Sequence, residues 1–433
     1  MKTKIRQIGK KIKENRHLLV ALGITLIVAT FYYFAWAIPQ TFAENTHIGF
    51  ESDRMDNHIW WASDARDYRD TGDSFFGNAE EETVLYRRPW LYPFIVGTLR
   101  NFTPIDPDYS LWSLQFFFWL ASIVFIFLAI IRATGKIWLA LLATVLFWTH
   151  PSPIALTFHG LTEIFNILLL SILAFFIFSK NAQKDYWLIF LMSLLLVTKP
   201  TYQIQLGILL IYILIKSFQK WRTLRFWGKI AIALIPLWIQ LLLTWQILGY
   251  AIISDVAGET LKYWTLTRVY AQAEDISDLH EVASVVETWS REEEVAYLLN
   301  NKKITFSVYA NNLVKESLLA DSYIIIGKDN PMDIAIMTLN KWHLYLHLLM
   351  LPLMGYMLFF NRKGKWEAIW ILYLTFLIQT LATGVSADQG DRLMITGLPL
   401  WIVSYSFVLT KLKTMEETSS SLIERTPASD ASD

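Results

Sequence analysis

The chain contains no cysteine among its 433 residues. Disulfide scaffolds, thiol nucleophiles and cysteine metal sites are therefore excluded. Charge is scarce as well: Asp, Glu, Lys and Arg supply 18% of residues, against about 25% in soluble domains. The 38 basic and 38 acidic residues cancel, so the basic excess of a nucleic-acid binder is missing. There is no Walker or dinucleotide glycine pattern, no serine nucleophile elbow and no internal repeat. Apolar residues are abundant, at 54%, with 15% aromatic. That composition points to an all-α polytopic membrane protein, with residues 1–433 forming one membrane domain.

Charge-free runs cover 18–43, 109–131, 230–254, 342–361, 368–387 and 393–410. Each is long enough to supply the ~20 apolar residues that cross a ~30 Å hydrocarbon layer. The stretch 137–179 is interrupted by Glu163 and by the Pro151/Pro153 kink, and reads as two spans. The stretch 186–215 is interrupted by Lys199-Pro200 and reads as two short spans joined by a tight turn. The total is about ten transmembrane helices. With both termini cytoplasmic, the inside segments hold 22 basic and 8 acidic residues, leaving 16 and 30 for the other side. This is the asymmetry of the positive-inside rule, and it includes the cluster Lys216, Lys220, Arg222, Arg225 and Lys229. Merging 186–215 into one span would put that cluster outside. The N-terminus resembles a signal peptide but has too long an apolar core, so an uncleaved anchor is expected. The acid- and Ser-rich tail 414–433 is expected to be a disordered cytoplasmic segment. Two large loops, 44–108 and 255–341, fall on the exoplasmic side, and chemistry is expected there.

The first loop carries DRMDNHIWWASDARDYRDTG at 53–72. Read as a helix, Met55, Ile59 and Ala62, with Trp61–Ala65–Tyr68, form an apolar side, and Gly72 is a stop. Trp60 and Trp61 suit headgroup level. Asp64 and Asp67 then share a face at i, i+3. A plain alternative is a solvated face with Arg66–Asp70 and Arg69–Asp73 ion pairs. The segment RRPWLYPFIVGTL, 87–99, reads as a second interfacial helix. Arg87 and Arg88 precede it, and Trp90, Tyr92 and Phe94 dip into the bilayer. Glu163 stands at the edge of hydrocarbon near His150 and His159, where a carboxylate is expensive and therefore a functional candidate. The two His and Glu163 match no helical metal motif. Lys199 and Arg392 are single cations at the outer ends of spans, placed to neutralise a phosphate at the membrane surface or to act as plain anchors. The span interiors lack Asp, Lys and Arg, which argues against ion-coupled transport.

On these motifs the chain resembles the GT-C superfamily of integral-membrane glycosyltransferases, the group of dolichyl-phosphate-mannose–protein mannosyltransferases and aminoarabinose transferases. The resemblance is carried, in order, by Asp64-Ala65-Arg66-Asp67-Tyr68, by Arg88-Pro89-Trp90-Leu91-Tyr92-Pro93, by Thr162-Glu163, and by Gly390-Asp391-Arg392 with Pro399. Many members have Asp-Glu where this chain has Asp64-Ala65, and the loop 255–341 matches nothing in the pattern. The resemblance implies a polyprenyl-phosphate-linked sugar, hexosyl or pentosyl, as donor. The acceptor would be a glycan, lipid or protein, and displacement would be direct and inverting. It implies Asp64 as general base with Asp67 beside it, and Arg392, Lys199 and Arg88 at the donor phosphate. Tyr68, Glu163, His159 and Tyr92 are candidates to contact donor or acceptor sugar. The resemblance makes no cofactor certain, and a divalent cation is left open. A lipid-linked oligosaccharide polymerase or ligase is the next expectation, and a non-catalytic lipid or glycan transporter the third.

Overall fold

A computed structural model describes residues 16–37, 59, 61, 63–77, 88–314, 338, 342, 345–346, 349–356, 359, 366–386 and 392–423. Among these residues every regular element is a helix. Helix α1 is Arg16–Tyr32 and runs on into a π-helical turn, Tyr33–Ala37. Two short helices follow, α2 Ser63–Ser74 and α3 Leu91–Phe102. The longest described helix is α4, Pro107–Thr134. It starts on an Asp106 cap, whose Oδ1 accepts from the N–H groups of Asp108 and Tyr109, with Pro107 at the first position. It ends where Gly135 takes φ 75°, a conformation that costs a Cβ-bearing residue more.

Helix α5, Ile137–Trp148, returns to the site end of the bundle. Short helical turns at Pro151–Ala155 and Leu156–Phe158 lead into α6, Glu163–Ile177. Then come α7 Lys184–Leu196, α8 Gln203–Lys216, α9 Leu224–Ala233 and α10 Ile235–Leu248. A set of short helices between Val256 and Val314 forms a satellite unit around Leu266, Val282 and Val286. Thr265 Oγ1 and the Tyr309 hydroxyl donate to the carbonyls of Val385 and Leu381, which ties this unit to the end of α11, Trp366–Thr383. The last helix is α12, Leu398–Ile423.

One continuous apolar core is centred on α4, α6 and α7, where Trp119, Ile123, Ile164, Leu170, Leu173 and Leu188 are fully buried. Outward faces such as Ile27, Phe31, Ile211 and Leu242 remain exposed, as lipid-facing surfaces would in a membrane.

By length and composition, two described helices could each cross a membrane alone, Arg16–Trp36 and Pro107–Thr134. Two bent pairs could raise that to four, and the other apolar helices have 10–17 residues. The count of ten spans is thus not reproduced by single long helices. The expected span 230–254 is broken at Leu234 and bent by 65°. Pro236 explains it, because it has no N–H to continue the ladder and its ring crowds the preceding turn. Trp90 occupies the break: its Nε1 donates to the Pro236 carbonyl at 3.0 Å and its backbone N–H to Gln240 Oε1 at 2.9 Å. Trp90 and the fully buried Tyr92 therefore face protein instead of dipping into lipid. Residues 343–344, 347–348, 357–358 and 360–361 of the expected span 342–361 lie outside the described residues. The helix α12 runs on to Ile423, into the tail expected to be disordered, since extending an existing helix is far easier than nucleating one.

Candidate functional site

The site is built where α2 and α3 lie across the end of the core. Gly72 of α2 and Gly97 of α3 touch backbone to backbone, and a Cβ on either would overlap the other chain segment. This close crossing brings Arg88, just ahead of α3, under the acidic face of α2. Ala65 and Tyr68 of the same helix are buried, in keeping with the apolar side expected from the sequence. Met55, Trp60, Ala62 and Arg87 lie outside the described residues. The helix α2 begins at Ser63 and passes Gly72 to end at Ser74. The first turning glycine is Gly77, at φ 75°.

Six ionic side chains form one connected chain. Arg88 Nη2 donates to Asp64 Oδ1 at 2.9 Å and to Asp67 Oδ2 at 2.8 Å, and its Nε donates to the same Asp67 oxygen at 3.1 Å. Arg392 Nη2 donates to Asp64 Oδ2 at 2.7 Å, and its Nε donates to Glu163 Oε1 at 2.7 Å. Lys199 Nζ donates to that same Glu163 oxygen at 3.2 Å. Three carboxylates thus meet three cations. Glu163 is 1% exposed and Arg392 is 8%, while Asp64 and Asp67 are each 32%. The cluster therefore runs from a buried floor to an open mouth. Glu163 is the first residue of α6, where a helix N-terminus favours negative charge. Its Oε2 is buried without a hydrogen-bond partner among the described residues.

Burial raises the Asp64 carboxyl, but the Arg392 and then Arg88 guanidiniums outweigh it and hold the group well below the usual carboxylate range. Burial tends to lower Arg88, yet Tyr68, Asp64 and Asp67 together push it above its ordinary value. Tyr68 lies under the Arg88 guanidinium, 5.1 Å from ring centroid to Cζ, and meets Tyr92 edge-on at 5.4 Å. Burial raises the Tyr68 hydroxyl above its normal range. His159 sits in the connection between α5 and α6. Burial, with Arg392 adding to it, drives its imidazole down to about 3, so it is neutral at ordinary pH. Gln115 Nε2 donates to the His159 carbonyl at 2.8 Å and reaches the Tyr92 hydroxyl at 3.5 Å.

The expected ion pairs Arg66–Asp70 and Arg69–Asp73 do not form. Arg66 Nε donates to the Trp61 carbonyl, Arg69 pairs with Asp70 at 2.9 Å, and Asp73 pairs with Arg100 at 2.9 Å. Local contacts replace the first pair, and Arg100 of α3 takes Asp73 from the second. Among the described residues no three His, Asp or Glu side chains are placed to hold a metal ion. Trp61 makes protein contacts. Its ring lies on Gly160, where a Cβ would overlap it, and its Nε1 donates to Asp108 Oδ2 at 3.1 Å. Gly160, Gln115 and Asp108 were not singled out from sequence. Gly160 stands in HGLTE, and a glycine at the mouth of a helix beside a candidate carboxylate was the available signal.

An apolar helical bundle with an ionic cluster at one end is thus the class of structure observed. No protein-family model matches the chain, and no curated protein matches it. Among solved structures it is similar to ArnT from Cupriavidus metallidurans bound to undecaprenyl phosphate. The identity is 10% and the TM-score 0.34, with 92% of this chain and 80% of that chain covered. It is likewise similar to the same protein in the apo state, at 11% identity and TM-score 0.34, with 88% and 77% covered. At that level of agreement the functional reading rests on the site's own geometry.

Proposed function

We propose that this chain is an integral-membrane glycosyltransferase that moves a sugar from a polyprenyl-phosphate donor to an acceptor hydroxyl. The observation that carries the reading is the buried convergence of Arg88, Lys199 and Arg392 around Asp64, Asp67 and Glu163, at one end of an apolar bundle. Cations at that depth suit a phosphate leaving group whose charge grows in the transition state. The acceptor O–H attacks the anomeric carbon, and its proton passes to the Asp64/Asp67 pair. The bond from that carbon to the phosphate oxygen breaks, and the electron pair stays on the polyprenyl phosphate. A single displacement inverts the anomeric centre. An apolar groove between α8 and α11, lined by Gln205, Leu209, Tyr212, Trp370 and Thr375, lies on the helix that follows Lys199 and suits the prenyl tail. The amide of Gln205 is buried there without a partner.

In this reading the site faces the exoplasm, and the basic ends of α7, α8 and α9 face the cytoplasm. A cysteine at the exposed Gln219 should be inaccessible to an impermeant thiol reagent added outside intact cells. Labelling there would invert the topology. Ser217 is buried and makes a poorer probe. The reaction itself is tested by transfer from a polyprenyl-phosphate sugar in membranes. Mass comparison of lipid extracts from cells with and without the protein identifies the sugar.

A further inference from the structure

We propose that Asp64 closes its own site until donor arrives: the donor phosphate displaces Asp64 from Arg392, and the displaced carboxylate becomes the base. This rests on the glycosyltransferase reading and adds to it how the site is switched on.

Both oxygens of Asp64 are occupied, Oδ1 by Arg88 Nη2 and Oδ2 by Arg392 Nη2. Each oxygen keeps a second lone pair, but a carboxylate held between two guanidiniums is a weak base toward a hydroxyl, and releasing one oxygen restores its basicity. Asp67 differs, because both of its bonds from Arg88 fall on Oδ2. The cations have unequal freedom too. Arg392 is fixed through Nε by Glu163, whose side chain is 1% exposed. Lys199 Nζ makes one bond among the described residues, to Glu163, although an ammonium has three donors.

An entering phosphate therefore has a defined exchange open to it. One oxygen replaces Asp64 Oδ2 at Arg392 Nη2, and a second accepts from Lys199 Nζ. Arg392 stays in place because Glu163 still holds Nε. Asp64 also stays in place, held at Oδ1 by Arg88, but Oδ2 is now open toward the mouth. The charges follow. Without ligand the three carboxylates and three cations cancel, and the donor phosphodiester adds one negative charge. Transfer moves the acceptor proton to Asp64 while the leaving phosphate gains a second charge, so the site's sum is unchanged through the reaction. Without donor the base is capped.

The test is the affinity of purified protein in nanodiscs for undecaprenyl phosphate, with undecaprenol as the tail-only control. Asp64→Asn and Asp64→Ala remove the competitor, so both should bind the phosphate about five- to tenfold tighter, the scale of one half-buried ion pair. Undecaprenol binding should not change. Equal or weaker phosphate binding in a monodisperse variant overturns the proposal. A wild type that binds undecaprenyl phosphate no better than undecaprenol instead overturns the functional reading beneath it. Should both variants fail to fold, wild-type carbodiimide labelling read by mass spectrometry decides. Asp64 should react faster with undecaprenyl phosphate present, and unchanged or slower reaction refutes the exchange.

Discussion

Two ionic clusters stand at opposite ends of this bundle, and they differ in burial more than in bonding. At the far end Lys216 bonds Glu367 at 2.7 Å and Asp185 at 3.2 Å, while Lys184 reaches Glu367 at 3.7 Å, joining α7, α8 and α11. These side chains are mostly between a fifth and two fifths exposed, and the bridging cation is a lysine. At the site end the same short distances occur, but Glu163 and Arg392 are almost wholly buried and guanidiniums do most of the bridging. Exposed pairs are worth under about 1 kcal/mol. Buried ones suffer desolvation that their mutual attraction often fails to offset. A bundle that needed only to join helices would use the first kind. The second kind is a poor fastener, and its presence at a half-open mouth is what makes it a candidate for chemistry.

That contrast can be broken by substitution. The largest effect is expected at Asp64: Asp64→Asn keeps size but removes the base, and transfer should fall ~10²–10⁴-fold at normal protein level. If Asp64→Asn is fully active and Asp67→Asn is dead, the two carboxylates exchange roles; if both are active, the mechanism is wrong. Next, Arg392→Ala should slow transfer about two orders of magnitude, the ~2–4 kcal/mol of a lost oxyanion-type donor. Arg392→Lys should recover only part, because a point charge cannot bridge Asp64 and Glu163 as a fork does. Gly160→Ala should push Trp61 aside and disturb both carboxylates. A loss between about 10- and 10²-fold in turnover is expected, with undecaprenyl phosphate affinity little changed; unaltered turnover would make that contact mere packing. The smallest effect belongs to the far cluster. Lys216→Ala should reduce stability by less than about 1 kcal/mol in thermal unfolding and leave transfer unchanged, and a large loss of either would erase the distinction between the two ends.

Much of the site was legible because its signals are local. The i, i+3 spacing of Asp64 and Asp67 places both on one helix face, and the structure keeps them on Arg88 together. Glu163, Lys199 and Arg392 stood out as charges in otherwise apolar surroundings, which needs no knowledge of the fold. The geometry joining them was not legible, because it depends on residues far apart. Arg69 and Asp73 offered each other an i, i+4 pair, yet Asp73 took Arg100 from the next helix. The contact of the Trp61 indole with Gly160 was hidden as well, because nothing near Trp61 in sequence announces it. Helix lengths were also hidden. Charge-free runs show where apolar chain lies, but proline at 236 and the turns around 149–162 cut it into pieces shorter than the runs themselves.

The bond between Arg392 and Asp64 spans 328 positions, and that between Arg392 and Glu163 spans 229. On a ribosome adding roughly 5–20 residues per second, the acidic members therefore emerge tens of seconds before the arginine that joins them. During that interval Glu163 has only Lys199 for company, and Asp64 only Arg88. Until Arg392 is made, the nascent chain carries an unfinished electrostatic balance at the site end of the bundle. The cluster cannot close before residue 392 is made, and a chain that stopped short of it would leave Glu163 without its Arg392 partner. Such chains would present quality control with a chemically distinct mark of incompleteness.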